Sequence, residues 1–193
     1  MNLYLLATVV VWTSLALVFY AYVGYPLLVW CLARLTRHPA PPAEQADLLP
    51  TVSLLIAAYN EQAEIDKGIQ TALMTDYPAD KLEIVIASDG STDATAEIVR
   101  RYADRGVRLL DYKQRRGKAS VLNSAFARVC GEIVLLSDAN TRIDPQALRK
   151  MVRWFADPAV GVVCGRLVLT DPATGRNVDS LYWKYETLSL IHI

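Results

Sequence analysis

The chain has 193 residues, of which 53% are hydrophobic, a larger share than in most soluble domains. Its 20 basic and 20 acidic residues cancel, and no basic stripe alternates with aromatic residues, so we expect no nucleic-acid partner. The three cysteines, Cys31, Cys130 and Cys164, form no Cys-x-x-Cys pair. They predict reduced packing residues rather than a disulfide or a zinc site.

The N-terminal stretch over residues 3–33 contains no charged side chain, and about 20 apolar residues suffice to span a bilayer. It is too long for a signal peptide and has no basic segment before it, so we predict a retained transmembrane anchor over residues 1–35. Gly24 and Pro26 leave two arrangements open: one kinked span, or a span followed by an interfacial segment.

Basic residues follow this apolar run, whereas none precedes it. Arg34, Arg37 and His38 lie directly after it, and loops rich in Lys and Arg stay on the cytoplasmic side of a membrane. We therefore predict that the remainder of the chain is cytoplasmic.

Residues 36–49 are rich in Pro and Ala and predict a semi-rigid linker before a folded domain over 50–193. In that domain apolar runs alternate with helical periods. The predicted strands lie near 52–57, 83–88, 107–110, 132–137 and 160–164, and the predicted helices near 61–74, 92–103, 117–129 and 145–155. This alternation predicts an α/β fold with a mostly parallel sheet, helices on both faces, and ligands at the carboxyl ends of the strands.

The first predicted strand runs into the sequence Ala57-Ala58-Tyr59-Asn60-Glu61. The small Ala58 lets a ligand approach the backbone, and Tyr59 offers a ring on which a base can stack. Asn60 is an expected cap of the following helix. The alternative for Tyr59 is ordinary packing.

The second predicted strand ends at Asp89, followed by a glycine and a hydroxyl-rich helix start. A carboxylate fixed at this strand end can accept a hydrogen bond from a base N–H or a ribose hydroxyl. The alternative is a carboxylate that only caps its own helix, which fits Asp93 better than Asp89.

The segment Arg115-Arg116-Gly117-Lys118 lies at the start of the third predicted helix, where cations and a positive helix end favour an anionic ligand. The alternative is a solvated basic loop. The sequence has neither G-x-x-x-x-G-K-[ST] nor G-x-G-x-x-G, which argues against a P-loop triphosphatase and a dinucleotide dehydrogenase.

The fourth predicted strand delivers Asp138-Ala139-Asn140 to its end. Two oxygen ligands one residue apart can share a divalent cation with a diphosphate, since Mg²⁺ takes one or two protein ligands and completes its shell with phosphate and water. We therefore predict a Mg²⁺ or Mn²⁺ site at Asp138 and Asn140.

Taken together, these four strand ends resemble those of family 2 glycosyltransferases with a GT-A fold, in the membrane-anchored branch that builds polysaccharides. The resemblance covers about residues 50–165. It implies that the nucleotide sugar contacts Ala58, Tyr59, Glu61, Asp89, Lys118 and Asp138, and that the metal contacts Asp138 and Asn140. The implied activity is inverting transfer of a sugar, expected from a UDP-sugar, to a lipid or polysaccharide acceptor at the cytoplasmic membrane face.

Two residues depart from the pattern of the family. Many relatives carry an aspartate where this chain has Ser88, which places more weight on Asp89. Asn140 replaces the second aspartate of the usual Asp-x-Asp, so the metal would be held with one less charge.

The family's catalytic base and its Gln-x-x-Arg-Trp element are not found in the sequence. Asp171, Asp179 and Glu186 are the downstream candidates for the base, and none has a pattern that selects it. We expect the base to lie beyond the C-terminus and the chain to be an N-terminal fragment.

Two alternatives stay open at this point. One is a membrane-tethered nucleotide-sugar binder or an inactive partner subunit. The other is a metal-dependent nucleotidyltransferase, which would need a glycine-rich loop that residues 52–61 do not supply.

Overall fold

A computed structural model of the protein describes residues 2–35, 49–171 and 177–178. These residues belong to two compact units. Of the described residues, 2–35, 166–171 and 177–178 belong to one unit, and 49–165 belong to the other. Nearly all of the predicted linker, residues 36–48, lies outside the described residues.

The N-terminal apolar stretch is helical from Leu3 to Leu35. It consists of α1 (Leu3–Phe19), a π-helical turn (Tyr20–Gly24) and α2 (Tyr25–Leu35). The π turn ends two residues before Pro26, whose missing N–H and bulky ring disturb the preceding turn of an α-helix. Residues Leu3–Leu32 are long and apolar enough to cross a membrane.

The second unit is built on a four-stranded sheet in the order β3-β2-β1-β4. Its strands are β1 (Val52–Ala58), β2 (Leu82–Asp89), β3 (Val107–Tyr112) and β4 (Ile133–Asp138). All neighbouring strands are parallel. Ala58 pairs with Ser88 of β2, and Ala57 pairs with Asp138 of β4, so the carboxyl ends of these three strands lie at one edge.

Helices follow the strands, as the alternating sequence pattern predicts. They are α3 (Ile65–Leu73), α4 (Thr95–Arg100), α5 (Lys118–Phe126) and α6 (Ala147–Val152), and short 3-10 turns follow at Ala103–Arg105 and Arg153–Ala156. Each helix is shorter than its predicted range. Because all neighbouring strands are parallel, the connections through α3, α4 and α5 are crossovers, as expected for an α/β sheet.

Helices cover both faces of the sheet, because successive strand residues point to opposite sides. On one face Leu54 and Ile56 pack in a cluster with Ile69 of α3 and Val99 of α4. On the other face Leu55 packs in a cluster that includes Val121 and Ala125 of α5. The predicted α/β fold with helices on both faces is confirmed.

The predicted strand near 160–164 is wrong. These residues have no regular structure, and Val162 is exposed. Alternating valines favour a strand only when a neighbouring strand accepts their backbone hydrogen bonds, and β4 has β1 as its only strand partner among the described residues. The packing role predicted for the cysteines is also wrong, because Cys31, Cys130 and Cys164 are free and exposed.

Gly68 lies where α3 approaches the turn after β4. A Cβ built on Gly68 would lie 2.5 Å from the carbonyl oxygen of Ala139, which is too close for any real contact. A glycine inside a helix normally costs about 1 kcal/mol relative to alanine. Here the close contact requires the glycine, since a methyl group would displace the backbone between Asp138 and Asn140.

Gly68→Ala is therefore expected to lower the free energy of unfolding by about 1–3 kcal/mol, the usual cost of overpacking a core. Urea denaturation of the wild type and the variant measures this difference. Gly161→Ala is the matched control, because a Cβ at Gly161 meets nothing within 4 Å. Equal stability of Gly68→Ala and Gly161→Ala would contradict the close contact.

Candidate functional site

A cavity of about 350 Å³ lies at the carboxyl edge of the sheet. The chain order changes direction here, because β2 and β4 lie on opposite sides of β1, and such a switch point is where open α/β sheets bind ligands. The cavity is lined by Ala57, Ala58, Tyr59, Glu61, Asp89, Arg115, Gly117, Lys118, Asp138, Ala139 and Asn140. All of the sequence-predicted site residues are therefore among its lining, and their individual roles stay predictions.

The loop after β1 brings Tyr59 into the cavity. The guanidinium carbon of Arg115 lies 4.1 Å from the centroid of the Tyr59 ring, a cation–π arrangement between two loops. Sequence reasoning missed this pairing because 55 intervening positions separate the two residues, and nothing in either motif signals it. Arg116, in contrast, lies over the ring of Tyr112 and is not among the lining residues.

Asn60 does not cap α3, so that prediction is wrong. Its backbone has a positive φ of 53°, and its Oδ1 accepts a hydrogen bond from the Thr92 backbone N–H at 2.9 Å. The Asn60 N–H donates to the Ser91 hydroxyl. Asn60 therefore joins the loops after β1 and β2, and α3 begins only at Ile65.

The loop after β2 is held by Asp93, as predicted for a capping carboxylate. Asp93 accepts hydrogen bonds from the N–H and hydroxyl of Thr95 and from the Gln62 N–H. Burial by itself raises the pKa of the Asp93 carboxyl, but these hydrogen bonds outweigh it and leave the pKa below its ordinary value. The Thr95 hydroxyl also accepts from the Glu61 N–H, which fixes the backbone beside the cavity.

Asp89 is buried at the end of β2, with 4% of its surface exposed. Its two carboxylate oxygens accept hydrogen bonds from the backbone N–H groups of Arg116 and Gly117, at 2.7 and 2.8 Å. Gly90 allows this close approach, because a Cβ there would lie 2.7 Å from the Arg115 nitrogen. Asp89 thus fixes the loop that leads into α5, a role that sequence analysis did not foresee.

Lys118 and Asp138 form an ion pair inside the cavity. The Lys118 ammonium donates to Oδ1 of Asp138, and their side chains are 60% and 54% exposed. Lys118 is the first residue of α5, and Asp138 is the last residue of β4. Because the strand pattern predicted both positions at one edge, their proximity follows from the fold, although the sequence did not indicate that they pair.

The residues after β4 suit a divalent cation that is shared with a diphosphate. Asp138 and Asn140 are exposed, while Ala139 between them is buried against α3. Within the described ranges no group of three or more His, Cys, Asp or Glu side chains is placed to hold a metal. One carboxylate and one amide fit Mg²⁺ or Mn²⁺ only when phosphate and water complete the shell.

The candidates for the catalytic base receive no support from the described residues. Asp171 ends the described stretch that starts at residue 49, and Asp179 and Glu186 lie outside the described residues. The carboxylates that line the cavity are Glu61, Asp89 and Asp138. The assignment of a base beyond the C-terminus therefore stays a prediction.

Comparison with known proteins identifies the family. The model of glycosyl transferase family 2 matches residues 53–190. The beta-monoglucosyldiacylglycerol synthase of Synechocystis sp. is 31% identical over 182 residues, which cover 84% of this chain and 38% of that protein. The poly-beta-1,6-N-acetyl-D-glucosamine synthase of Staphylococcus epidermidis is 33% identical over 144 residues, covering 74% of this chain and 33% of that protein.

Solved structures show the same fold. The mannosyltransferase PcManGT from Pyrobaculum calidifontis, in complex with GDP-Man and Mn²⁺, superposes with a TM-score of 0.69 at 32% identity. That superposition covers 88% of this chain and 47% of the other. S. aureus TarS in complex with UDP-GlcNAc superposes with a TM-score of 0.50 at 26% identity, covering 51% of this chain and 29% of the other.

The parallel sheet and the cavity at its carboxyl edge thus define a GT-A domain of the glycosyltransferase class. The chain belongs to glycosyltransferase family 2. It spans about two fifths or less of the length of the two curated relatives named above.

Proposed function

We propose that the protein transfers a sugar from a nucleotide-diphosphate sugar, expected to be a UDP-sugar, to a lipid or polysaccharide acceptor at the cytoplasmic membrane face. The observation that carries this proposal is the cavity itself. It combines an aromatic ring at Tyr59, a cation at Lys118 and the oxygen pair of Asp138 and Asn140. Those are the chemical features that a base, a diphosphate and a bridging metal require.

The nucleoside half of the donor is assigned to the loops after β1 and β2. Tyr59 provides the ring for the base, and Ala58 leaves room beside the backbone. Glu61 and Asp89 are carboxylates that can accept hydrogen bonds from ribose hydroxyls and base N–H groups. The complexes of TarS with UDP-GlcNAc and PcManGT with GDP-Man support a nucleotide sugar as the ligand of this fold.

The diphosphate half is assigned to the N-terminus of α5 and the turn after β4. Asp138 and Asn140 would hold a Mg²⁺ or Mn²⁺ ion, which would neutralise charge that develops on the leaving diphosphate. Lys118 supplies a further positive charge there, reinforced by the positive end of the nine-residue helix α5. Direct displacement by an acceptor hydroxyl then inverts the anomeric centre, with the base supplied from beyond the described residues.

The membrane location and the acceptor are assigned from the N-terminal helix and the relatives. Residues Leu3–Leu32 would anchor the chain, and Arg34 after it favours a cytoplasmic domain. The names of the relatives, a glucosyldiacylglycerol synthase and a poly-N-acetylglucosamine synthase, support a lipid or polysaccharide acceptor.

Calorimetric titration of the full chain in detergent micelles tests the donor site. UDP, GDP and ADP would each be titrated with Mn²⁺ and with EDTA. We expect binding that depends on Mn²⁺ and prefers UDP. Preference for GDP would change the expected nucleobase of the donor from uracil to guanine and would keep the proposal. Equal binding of the three nucleotides regardless of metal would contradict a specific donor site.

A further inference from the structure

The ion pair between Lys118 and Asp138 involves two groups that the proposed function assigns to different parts of the donor. Asp138 is assigned to the divalent cation, and Lys118 to the diphosphate. In the structure they contact each other directly. Both side chains are more than half exposed, so the pair is not fixed by burial.

Lys118 and a divalent cation compete for the same carboxylate. The ammonium of Lys118 donates to Oδ1 of Asp138. If Mg²⁺ or Mn²⁺ bound this oxygen while the ammonium stayed beside it, the two cations would repel each other strongly. Asn140 is neutral and cannot replace the carboxylate charge. A metal that binds Asp138, at Oδ1 or at Oδ2, places a second positive charge on the carboxylate and so favours release of Lys118.

Asp89, another carboxylate of the cavity, is already engaged, because both of its oxygens accept backbone N–H groups of the loop. A displaced ammonium on a flexible four-carbon stem remains within the cavity, at the positive end of α5. An anionic diphosphate is the ligand that suits it there.

We propose that Lys118 is an exchange cation, which neutralises Asp138 before ligands bind and moves to the diphosphate when a divalent cation takes Asp138. This inference rests on the proposed function. It predicts positive coupling, because the metal frees the lysine that the diphosphate needs, and the diphosphate holds the lysine away from the metal ligand. Such coupling is reciprocal between the two ligands.

Opposite effects on the two ligands distinguish this role from a merely structural one. In Lys118→Gln, binding of Mn²⁺ alone, followed by electron paramagnetic resonance of the free ion, is expected to tighten about twofold to fivefold, the range for loss of an exposed ion pair. Binding of UDP in saturating Mn²⁺ is expected to weaken about tenfold through loss of a charge-assisted hydrogen bond, because the proposal places Lys118 on the diphosphate when the metal holds Asp138. Lys118→Arg keeps the charge and should leave Mn²⁺ affinity close to that of the wild type.

Lys113→Gln is the matched control, since Lys113 pairs with Asp111 at 2.9 Å and is not among the cavity-lining residues. It should change neither affinity. Thermal unfolding of each variant shows that the comparison is made on folded protein. If Lys118→Gln binds Mn²⁺ no more tightly than the wild type, or binds UDP in saturating Mn²⁺ equally well, the exchange role is overturned. Failure of the wild type to bind any nucleotide would instead overturn the proposed function together with the inference.

Discussion

Asp138→Asn is expected to abolish the Mn²⁺-dependent part of nucleoside diphosphate binding. Asp138 is the carboxylate of the proposed metal site, and Asn140 offers only a neutral amide oxygen. Loss of even an outer-shell partner of a metal site costs about 10- to 100-fold in metal affinity, so loss of the carboxylate should cost at least as much. Calorimetric titration with UDP in Mn²⁺ measures the effect.

Without metal, we do not expect Asp138→Asn to lower the affinity for UDP. Without its carboxylate partner, Lys118 is free to meet the diphosphate, so UDP in EDTA should bind to Asp138→Asn at least as well as to the wild type. Asp104→Asn is the control, because it makes the same charge change on an exposed 3-10 turn that does not line the cavity. Unchanged UDP affinity in Mn²⁺ for Asp138→Asn would show that the metal assignment is wrong.

Most of the fold could be predicted from the order of apolar runs. The strands β1 to β4 each contain a short apolar run, and helical periods lie between them, which is sufficient to predict parallel strands joined by crossovers. The strand near 160–164 failed because alternation of apolar residues gives no information about an available partner strand. The late start of α3 at Ile65 was also missed, because side chains of Asp93 and Thr95 take the N–H groups of Gln62 and Glu61.

The candidate site could be predicted residue by residue but not contact by contact. Strand ends in a parallel sheet meet at one edge, so the sequence placed Asp89, Lys118 and Asp138 near one another. It did not indicate that Asp89 would bind a backbone loop, or that Lys118 would pair with Asp138. Those choices depend on side-chain and loop geometry between segments that are 20 or more positions apart in the chain.

Asp89→Asn is expected to have the largest effect on stability. An amide oxygen can accept only one of the two hydrogen bonds that Arg116 and Gly117 donate, and the amide NH₂ then points at the other N–H. Hydrogen bonds to charged groups contribute about 1.5–3 kcal/mol, and a buried donor without an acceptor costs about 1–3 kcal/mol. We expect the free energy of unfolding to fall by roughly 2–4 kcal/mol in urea denaturation.

Asp111→Asn is the matched control for this substitution. Asp111 lies on the adjacent strand β3, and its carboxylate pairs with Arg100 and Lys113 at 2.8 and 2.9 Å at the surface. Exposed ion pairs contribute about 0–1 kcal/mol, so the control should be only slightly less stable than the wild type. Equal losses in Asp89→Asn and Asp111→Asn would contradict the structural role of Asp89.

Nucleotide titration of Asp89→Asn then separates support of the loop from contact with the base. The loop that Asp89 holds leads directly to Lys118, so loosening it should weaken every nucleoside diphosphate. A carboxylate that also accepts a hydrogen bond from the base should in addition reduce the affinity for uridine, which has no phosphate to meet Lys118. Weaker uridine binding, at a temperature where the variant is folded, would therefore assign Asp89 to contact with the nucleobase. An equal loss of affinity for UDP, GDP and ADP, with uridine binding unchanged, would assign Asp89 to support of the loop alone.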